Sequence, residues 1–301
     1  MTRRTPALRV ATRASEQARA QAGDVAERLA AVTGRAVELV LVDTAGDRLR
    51  DRPIGEIGGQ GVFTKEVQHA VLDARADIAV HSAKDLPSSW TTDGLVLAGV
   101  PERGDPRDAL VGTALAALRH GATVATGSAR RRTQLAHLRP DLRFVGLRGN
   151  IPTRVARAND EDIDATVVAV AGVAWVGLAD RLADILDVAT MVPQIGLGAL
   201  AIECRVDDGA ARAAIAAIEH APSRRRVDAE RAFLARLGGG CELPVGAHAT
   251  IDARSGALHI VGLVASSDGR EIVRGEITGD DATAGAALAE RLLDEGGHLL
   301  R

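Results

Sequence analysis

The chain has 301 residues, 46% of them hydrophobic and 26% charged, with a formal net charge of -3. That balance belongs to a soluble globular protein of two or three domains and excludes a general basic surface for nucleic acid. Aromatic residues make up 2% and tyrosine is absent, so the cores are built from Ala, Val, Leu and Ile, and base stacking is not the main business.

The elements alternate from the start. Residues 8–11 read as a strand, and Ser15 as the N-cap of a helix whose apolar stripe runs through Ala18, Ala22, Val25, Ala26 and Leu29. A strand follows over 37–42, then a Gly-rich segment over 58–61, a helix over 63–74 and a strand beginning at Asp77. These are repeated β-α-β units, which predict an α/β fold with parallel pairing. Residues 95–100 close this first series, and 101–106, bounded by Pro101 and Pro106, reads as a crossing into another domain. There the alternation resumes with a strand over 123–125, a helix over 128–139, a strand over 143–147, a helix over 151–159 and a strongly apolar strand over 165–171. The run 199–205 looks like a returning strand and 208–220 has helical spacing; this piece could complete the first sheet and make that domain discontinuous. From Ser223, a helix to Leu237, strands near 245–251, 257–265 and 272–277, and a helix over 282–293 describe a small α+β domain. The expected division is 1–100 with 198–220, 101–197, and 221–301.

No apolar run is long enough to cross a bilayer, and the N-terminal stretch MTRRTPALRVATRAS has no signal-peptide core, so a cytoplasmic protein without a membrane partner is expected. The two cysteines, Cys204 and Cys241, have no CxxC spacing and no His nearby in sequence, so neither a disulfide nor a zinc or other metal site is expected. Cys204 reads as a small buried hydrophobe, and Cys241, after Gly238, Gly239 and Gly240, as a thiol in an exposed loop.

Two features point to chemistry. The stretch DIAVHSAKDLP, 77–87, places His81, Ser82, Lys84 and Asp85 where an apolar strand ends, and in open α/β sheets ligands sit outside the carboxyl ends of strands. The competing reading is an Asp that opens the turn before Pro87, with a solvated Lys84 beside it. The second feature is arginine in the wrong place for a helix. Gly127 and Ser128 introduce Arg130, Arg131 and Arg132 in a first turn, where the dipole and unpaired backbone N–H groups disfavour cations unless an anion is bound. Arg13 stands likewise before the first helix, and Arg148, Gly149, Asn150 and Arg154 surround the fourth. One such arginine is ordinarily a solvated surface charge. Three agreeing junctions imply a ligand with several carboxylates or phosphates. No GxxxxGK[ST] loop is present, and Gly58, Gly59 and Gly61 lack the dinucleotide fingerprint spacing, which disfavours a nucleotide.

The motifs ATRAS at 11–15, AVHSAKDLP at 79–87, DPRDAL at 105–110, LRGN at 147–150, IECR at 202–205 and GGC at 239–241 occur in this order. As a set they resemble the porphobilinogen deaminase, or hydroxymethylbilane synthase, family, over nearly the whole chain. The resemblance implies two α/β domains built like periplasmic-binding-protein (type II) lobes and a small α+β C-terminal domain that carries a cofactor loop. It implies a cytoplasmic, monomeric transferase of tetrapyrrole (porphyrin, haem) biosynthesis, which deaminates four molecules of its small-molecule substrate, porphobilinogen, and joins them head to tail into hydroxymethylbilane. It also implies a dipyrromethane cofactor, attached through a thioether to Cys241.

By matching position, the resemblance makes Asp85 the catalytic carboxylate, which accepts pyrrole N–H bonds, offsets positive charge and takes part in proton transfer. Lys84, Asp85, Thr126, Ser128, Arg130, Arg131 and Arg154 are expected to hold the cofactor, and Arg13, Ser15, Gln21, Arg148 and Arg154 to face the substrate or growing chain. Extension within one site demands room, so relative movement of domains is expected. The chain departs from the family pattern at Ala45, Glu56, Gln60, Trp175 and Leu197, with Arg132 as a partial compensation. These departures keep open a divergent paralogue of low or altered activity that binds a pyrrole or other polycarboxylate. A third reading, an ordinary anion-binding lobe protein, explains the arginines but not the Cys loop.

Overall fold

A hydroxyl and a glycine delimit the first helix. In the computed structural model, which describes residues 6–48, 61–88, 92–238 and 243–300, β1 (Leu8–Arg13) leads to Ser15, whose Oγ accepts from Ala18 N at 3.3 Å. The helix α1 (Glu16–Thr33) buries Gln21, Ala22, Val25 and Leu29 along one stripe and ends where Gly34 takes a φ of 65°. Next come β2 (Val37–Val42), α2 (Ala45–Arg48), α3 (Lys65–Leu72), β3 (Ile78–Ser82) and β4 (Leu95–Gly99). They are followed by β5 (Asp108–Gly112), β6 (Thr123–Ala125), α4 (Ala129–Leu138), β7 (Arg143–Val145) and α5 (Ile151–Ala156). Then β8 (Ala165–Ala169), α6 (Val170–Ala174), β9 (Leu182–Ile185), β10 (Leu200–Arg205) and α7 (Gly209–Ala216) follow. The last elements are α8 (Ala221–Leu237), β11 (Val245–Ile251), β12 (Leu258–Ala265), β13 (Ile272–Gly279) and α9 (Thr283–Gly296).

The chain divides into two compact units, Met1–Arg103 with Ala199–Arg224, and Gly104–Gly198 with Arg225–Arg301. The first holds a five-stranded sheet in the order β2-β1-β3-β10-β4, in which β1 is parallel to β2 and β3, and β10 is antiparallel to β3 and β4. Ala11, Val67, Val71, Ala79 and Leu95 meet in its core. The second unit holds a five-stranded sheet in the order β7-β6-β8-β5-β9, where β6 is parallel to β7 and β8, and β5 is antiparallel to β8 and β9. It also holds an antiparallel three-stranded sheet, β11-β12-β13, whose core includes Phe233 of α8 and Leu288 of α9. The fold is thus mixed α/β, with a small three-stranded sheet near the C-terminus.

Parallel pairing, expected of the repeated β-α-β units, does not extend to β10 and β5. Neither strand follows a crossover helix within its own sheet, and only such a crossover forces the next strand to run parallel. The apolar run 165–171 also divides, with the strand ending at Ala169 and α6 turning away at Val170; a continuous apolar stretch has no period to mark the change. The strands β5 and β9 were not visible in the pattern, since Asp108 opens one short apolar run and Asp184 interrupts the other. Among the described residues no helix is long and apolar enough to cross a membrane.

Candidate active site

In the first unit β1 and β3 lie side by side, with Ala11 opposite Ala79, so the residues that follow them emerge together at the carboxyl ends of the strands. Arg13 ends β1, and a tight 3-10 turn, Ala83–Asp85, follows β3. Arg13 Nη1 stands 4.0 Å from Asp85 Oδ2, with the two side chains 23% and 24% exposed. Arg13 Nε and Nη2 donate to Asp47 at 3.1 and 2.6 Å. Burial by itself would raise the Asp47 carboxyl, but the hydrogen bonds and charge of Arg13, helped by Thr44, hold it below the usual carboxylate range. Lys84 is half-buried, and so is Ser15, which serves as the cap of α1. Gln21 is buried, its Oε1 accepting from the Ser82 hydroxyl at 3.1 Å. On β3, His81 Nε2 is 3.0 Å from Glu203 Oε2 of β10, and Gln68 of α3 donates to that same oxygen at 2.9 Å. All three are buried, and His81 Nε2 meets Glu203 without hydrogen-bond alignment, so these motif residues sit side by side on the paired strands β3 and β10 just below the turn that carries Asp85.

In the second unit Ser128 caps α4, its Oγ accepting from Arg131 N at 3.4 Å, while the Thr126 hydroxyl accepts from Ser128 N at 3.2 Å. Arg130 and Arg131 then turn inward. Arg131 donates from Nε to Asp108 Oδ1 at 2.9 Å and from Nη1 to Val167 O at 2.9 Å. Arg130 Nη1 donates to Val192 O at 2.6 Å, and its Nη2 faces Asp108 Oδ2 at 2.7 Å as an ion pair without hydrogen-bond alignment. Asp108 opens β5 and is fully buried; burial would raise its carboxyl, but the charges of Arg130 and Arg131 hold it below the ordinary range. Burial likewise pulls the Arg130 guanidinium below its ordinary value, against the attraction of Asp108.

The expectation that these helix-start cations require an external anion is therefore corrected, because β5 supplies an internal one. A surplus remains, however. One carboxylate faces two guanidiniums, and Arg130 Nε is buried with no hydrogen-bond partner. Arg132 is exposed and donates to Ser267 O at 2.7 Å. Arg148 is half-buried, and Arg154 Nε donates to Gly149 O at 2.8 Å beside Asn150, the cap of α5.

A family model described as porphobilinogen deaminase, dipyromethane cofactor binding domain, matches residues 8–213, and one described as porphobilinogen deaminase, C-terminal domain, matches residues 224–294. The chain belongs to the porphobilinogen deaminase family. The porphobilinogen deaminase of Pelobacter propionicus is 45% identical over 299 residues, covering 97% of this chain and 96% of the relative. That of Syntrophotalea carbinolica is 44% identical over 96% of this chain and 93% of its own length, and that of Geobacter metallireducens 43% identical over 97% and 92%. Among solved structures, the methionine binding protein MetQ is similar at a TM-score of 0.45 and 15% identity, over 70% of this chain and 89% of that one.

As a member of the porphobilinogen deaminase family the chain is a transferase, and near-full-length likeness at this identity does not favour the divergent-paralogue reading. Of the departures from the porphobilinogen deaminase pattern, Ala45 opens α2 with its N–H bonded to Glu66 Oε1 at 2.8 Å, Leu197 is buried, and Trp175 is half-buried at the end of α6. Glu56, Gln60 and Cys241 lie outside the described residues. Cys204 is buried, and burial pushes its thiol up to about 11.

Sequence reasoning missed three residues of this architecture: Asp47, Asp108, and Phe63, whose ring centroid lies 4.2 Å from the Arg13 guanidinium carbon. Asp108 was in view inside DPRDAL, but an acidic residue opening an apolar run gives no sign of which arginines will fold onto it.

Proposed function

We propose that the chain is a hydroxymethylbilane synthase, which deaminates porphobilinogen and condenses four molecules of it head to tail into hydroxymethylbilane. The observation that supports this reading is the pairing of Asp85 with Arg13 at the carboxyl ends of two adjacent parallel strands. Loss of ammonia from porphobilinogen leaves a cationic azafulvenium. A half-buried carboxylate can accept its pyrrole N–H, offset its charge and take up a proton after carbon–carbon bond formation. Asp85 fills that role, while Arg13, Ser15, Gln21, Arg148 and Arg154 orient the carboxylates of the substrate and the growing chain.

A dipyrromethane, with two carboxylates on each pyrrole, fits the second unit's donors, where Arg130 and Arg131 outnumber Asp108 and a buried Nε is unpartnered. Lys84, Asp85, Thr126, Ser128, Arg130, Arg131 and Arg154 would hold it, and a thioether to Cys241 would tether it. Bound, it supplies the nucleophile, a free pyrrole α-carbon. The enzyme acts as a cytoplasmic monomer, with functional domains 1–100 with 198–220, 101–197, and 221–301.

Denaturing mass spectrometry of protein from cells that make porphobilinogen tests the tether. A dipyrromethane mass increment that vanishes in Cys241→Ser is expected, together with consumption of porphobilinogen by the parent enzyme. A bare thiol and no consumption would overturn the reading.

A further inference from the structure

The contacts around Arg13 hold residues to which no role has been given. Asp47, on α2, takes two donors of one guanidinium edge, Nε at 3.1 Å and Nη2 at 2.6 Å, a bidentate geometry that fixes the plane and direction of the group. The carboxylate is itself anchored, because Thr44, fully buried, donates from Oγ1 to Asp47 Oδ2 at 2.7 Å. The guanidinium carbon lies 4.2 Å from the centroid of the Phe63 ring, within cation-π range. That ring has room only because residue 46 is glycine, since a Cβ there would collide with it. With Nε and Nη2 committed, Nη1 is the part of Arg13 that faces Asp85.

We propose that Asp47 is a positioning residue for the condensation, aiming Arg13 past Asp85 with Thr44 and Phe63 as its supports; this rests on the functional reading above. Two effects follow from one carboxylate. Asp47 holds Arg13 at 4.0 Å from Asp85 instead of letting it close into a tight pair that would withdraw Asp85 from the substrate. It also balances the charge of Arg13, so that Arg13, Asp47 and Asp85 together stay net negative and complementary to a cationic pyrrole.

The test uses purified holoenzyme whose cofactor adduct has been verified by intact mass. Asp47→Asn should lower kcat for porphobilinogen about 10- to 100-fold, the scale of a misplaced reacting group, with KM changed less than about threefold because ground-state binding survives. Coupling separates positioning from mere support. In an Arg13→Lys background, where the bidentate pair cannot form, Asp47→Asn should cost less than about twofold more. An equal loss in both backgrounds, or an Asp47→Asn enzyme within twofold of the parent, would overturn the proposal. Should Asp47→Asn fail to fold, Thr44→Val is expected to reproduce the kcat loss at about three- to tenfold, and an unchanged kcat there would refute it. A parent enzyme that leaves porphobilinogen untouched would instead overturn the functional reading itself, and this proposal with it.

Discussion

The two five-stranded sheets share one pattern of strand directions, with an antiparallel strand in fourth place that comes last in the chain in one sheet and first in the other, yet they treat arginine in opposite ways. In the first, Arg13 is 23% exposed, gripped on one edge by Asp47 and turned towards Asp85 on the other. In the second, Arg130 and Arg131 are 3% and 7% exposed and close on Asp108. A guanidinium at a strand-to-helix junction therefore does not declare its partner. The nearest carboxylate decides: Asp108, at the start of an interior strand, anchors its arginines in the framework even where they would also hold the cofactor, whereas Asp47, on a short helix, leaves its arginine facing Asp85.

The largest expected effect tests the framework side. Asp108→Asn leaves two buried guanidiniums without a counter-charge and should destabilise the protein by about 3–5 kcal/mol, read as a lower urea midpoint. Equal stability of variant and parent at pH 7 would break the comparison. Because the folded Asp108 carboxyl lies below its unfolded value, its contribution is complete above the ordinary carboxylate range and is lost as the pH falls through the lower folded value. Acidification should accordingly cost the parent more stability than the variant.

Asp85→Asn tests the outward side. It keeps the shape and removes the charge, so turnover should fall about 100- to 1000-fold, while the urea midpoint moves by no more than about 0.5 kcal/mol equivalent. A variant that loses stability but not turnover would assign Asp85 to the framework too. Gly46→Ala sharpens the comparison further. Its methyl group meets the Phe63 ring, and such overpacking should cost about 1–3 kcal/mol in unfolding measurements, with reduced turnover as the surface under Arg13 shifts. The smallest effect is expected at Arg28→Ala, which breaks an exposed i,i+4 pair with Asp24 and should change the midpoint by about 0.5 kcal/mol or less.

Much of the scaffold was legible because its signals are local. Ser15, Ser128 and Asn150 announce helix starts through side chains that bond to the N–H groups beside them, and the apolar run before His81 announces a strand. What was not legible depends on distant partners. Asp108 meets Arg131 across 23 residues, and Gln68 meets Glu203 across 135, so no window of sequence contains both members. The site was legible to the same degree. Motif order pointed to Asp85 and Arg13, but the grip of Asp47 on Arg13 spans 34 residues and required the fold.

Strand β10 lies between β3 and β4, although all of Gly104–Gly198 precedes it in the chain. A ribosome therefore delivers the first four strands well before the one that must separate two of them, and in the interval β3 keeps a bare edge open to unwanted partners. The five-stranded sheet begun first closes after the second one, whose last strand ends at Ile185, so its assembly waits on a long-range closure that a nascent chain halted before Leu200 cannot make.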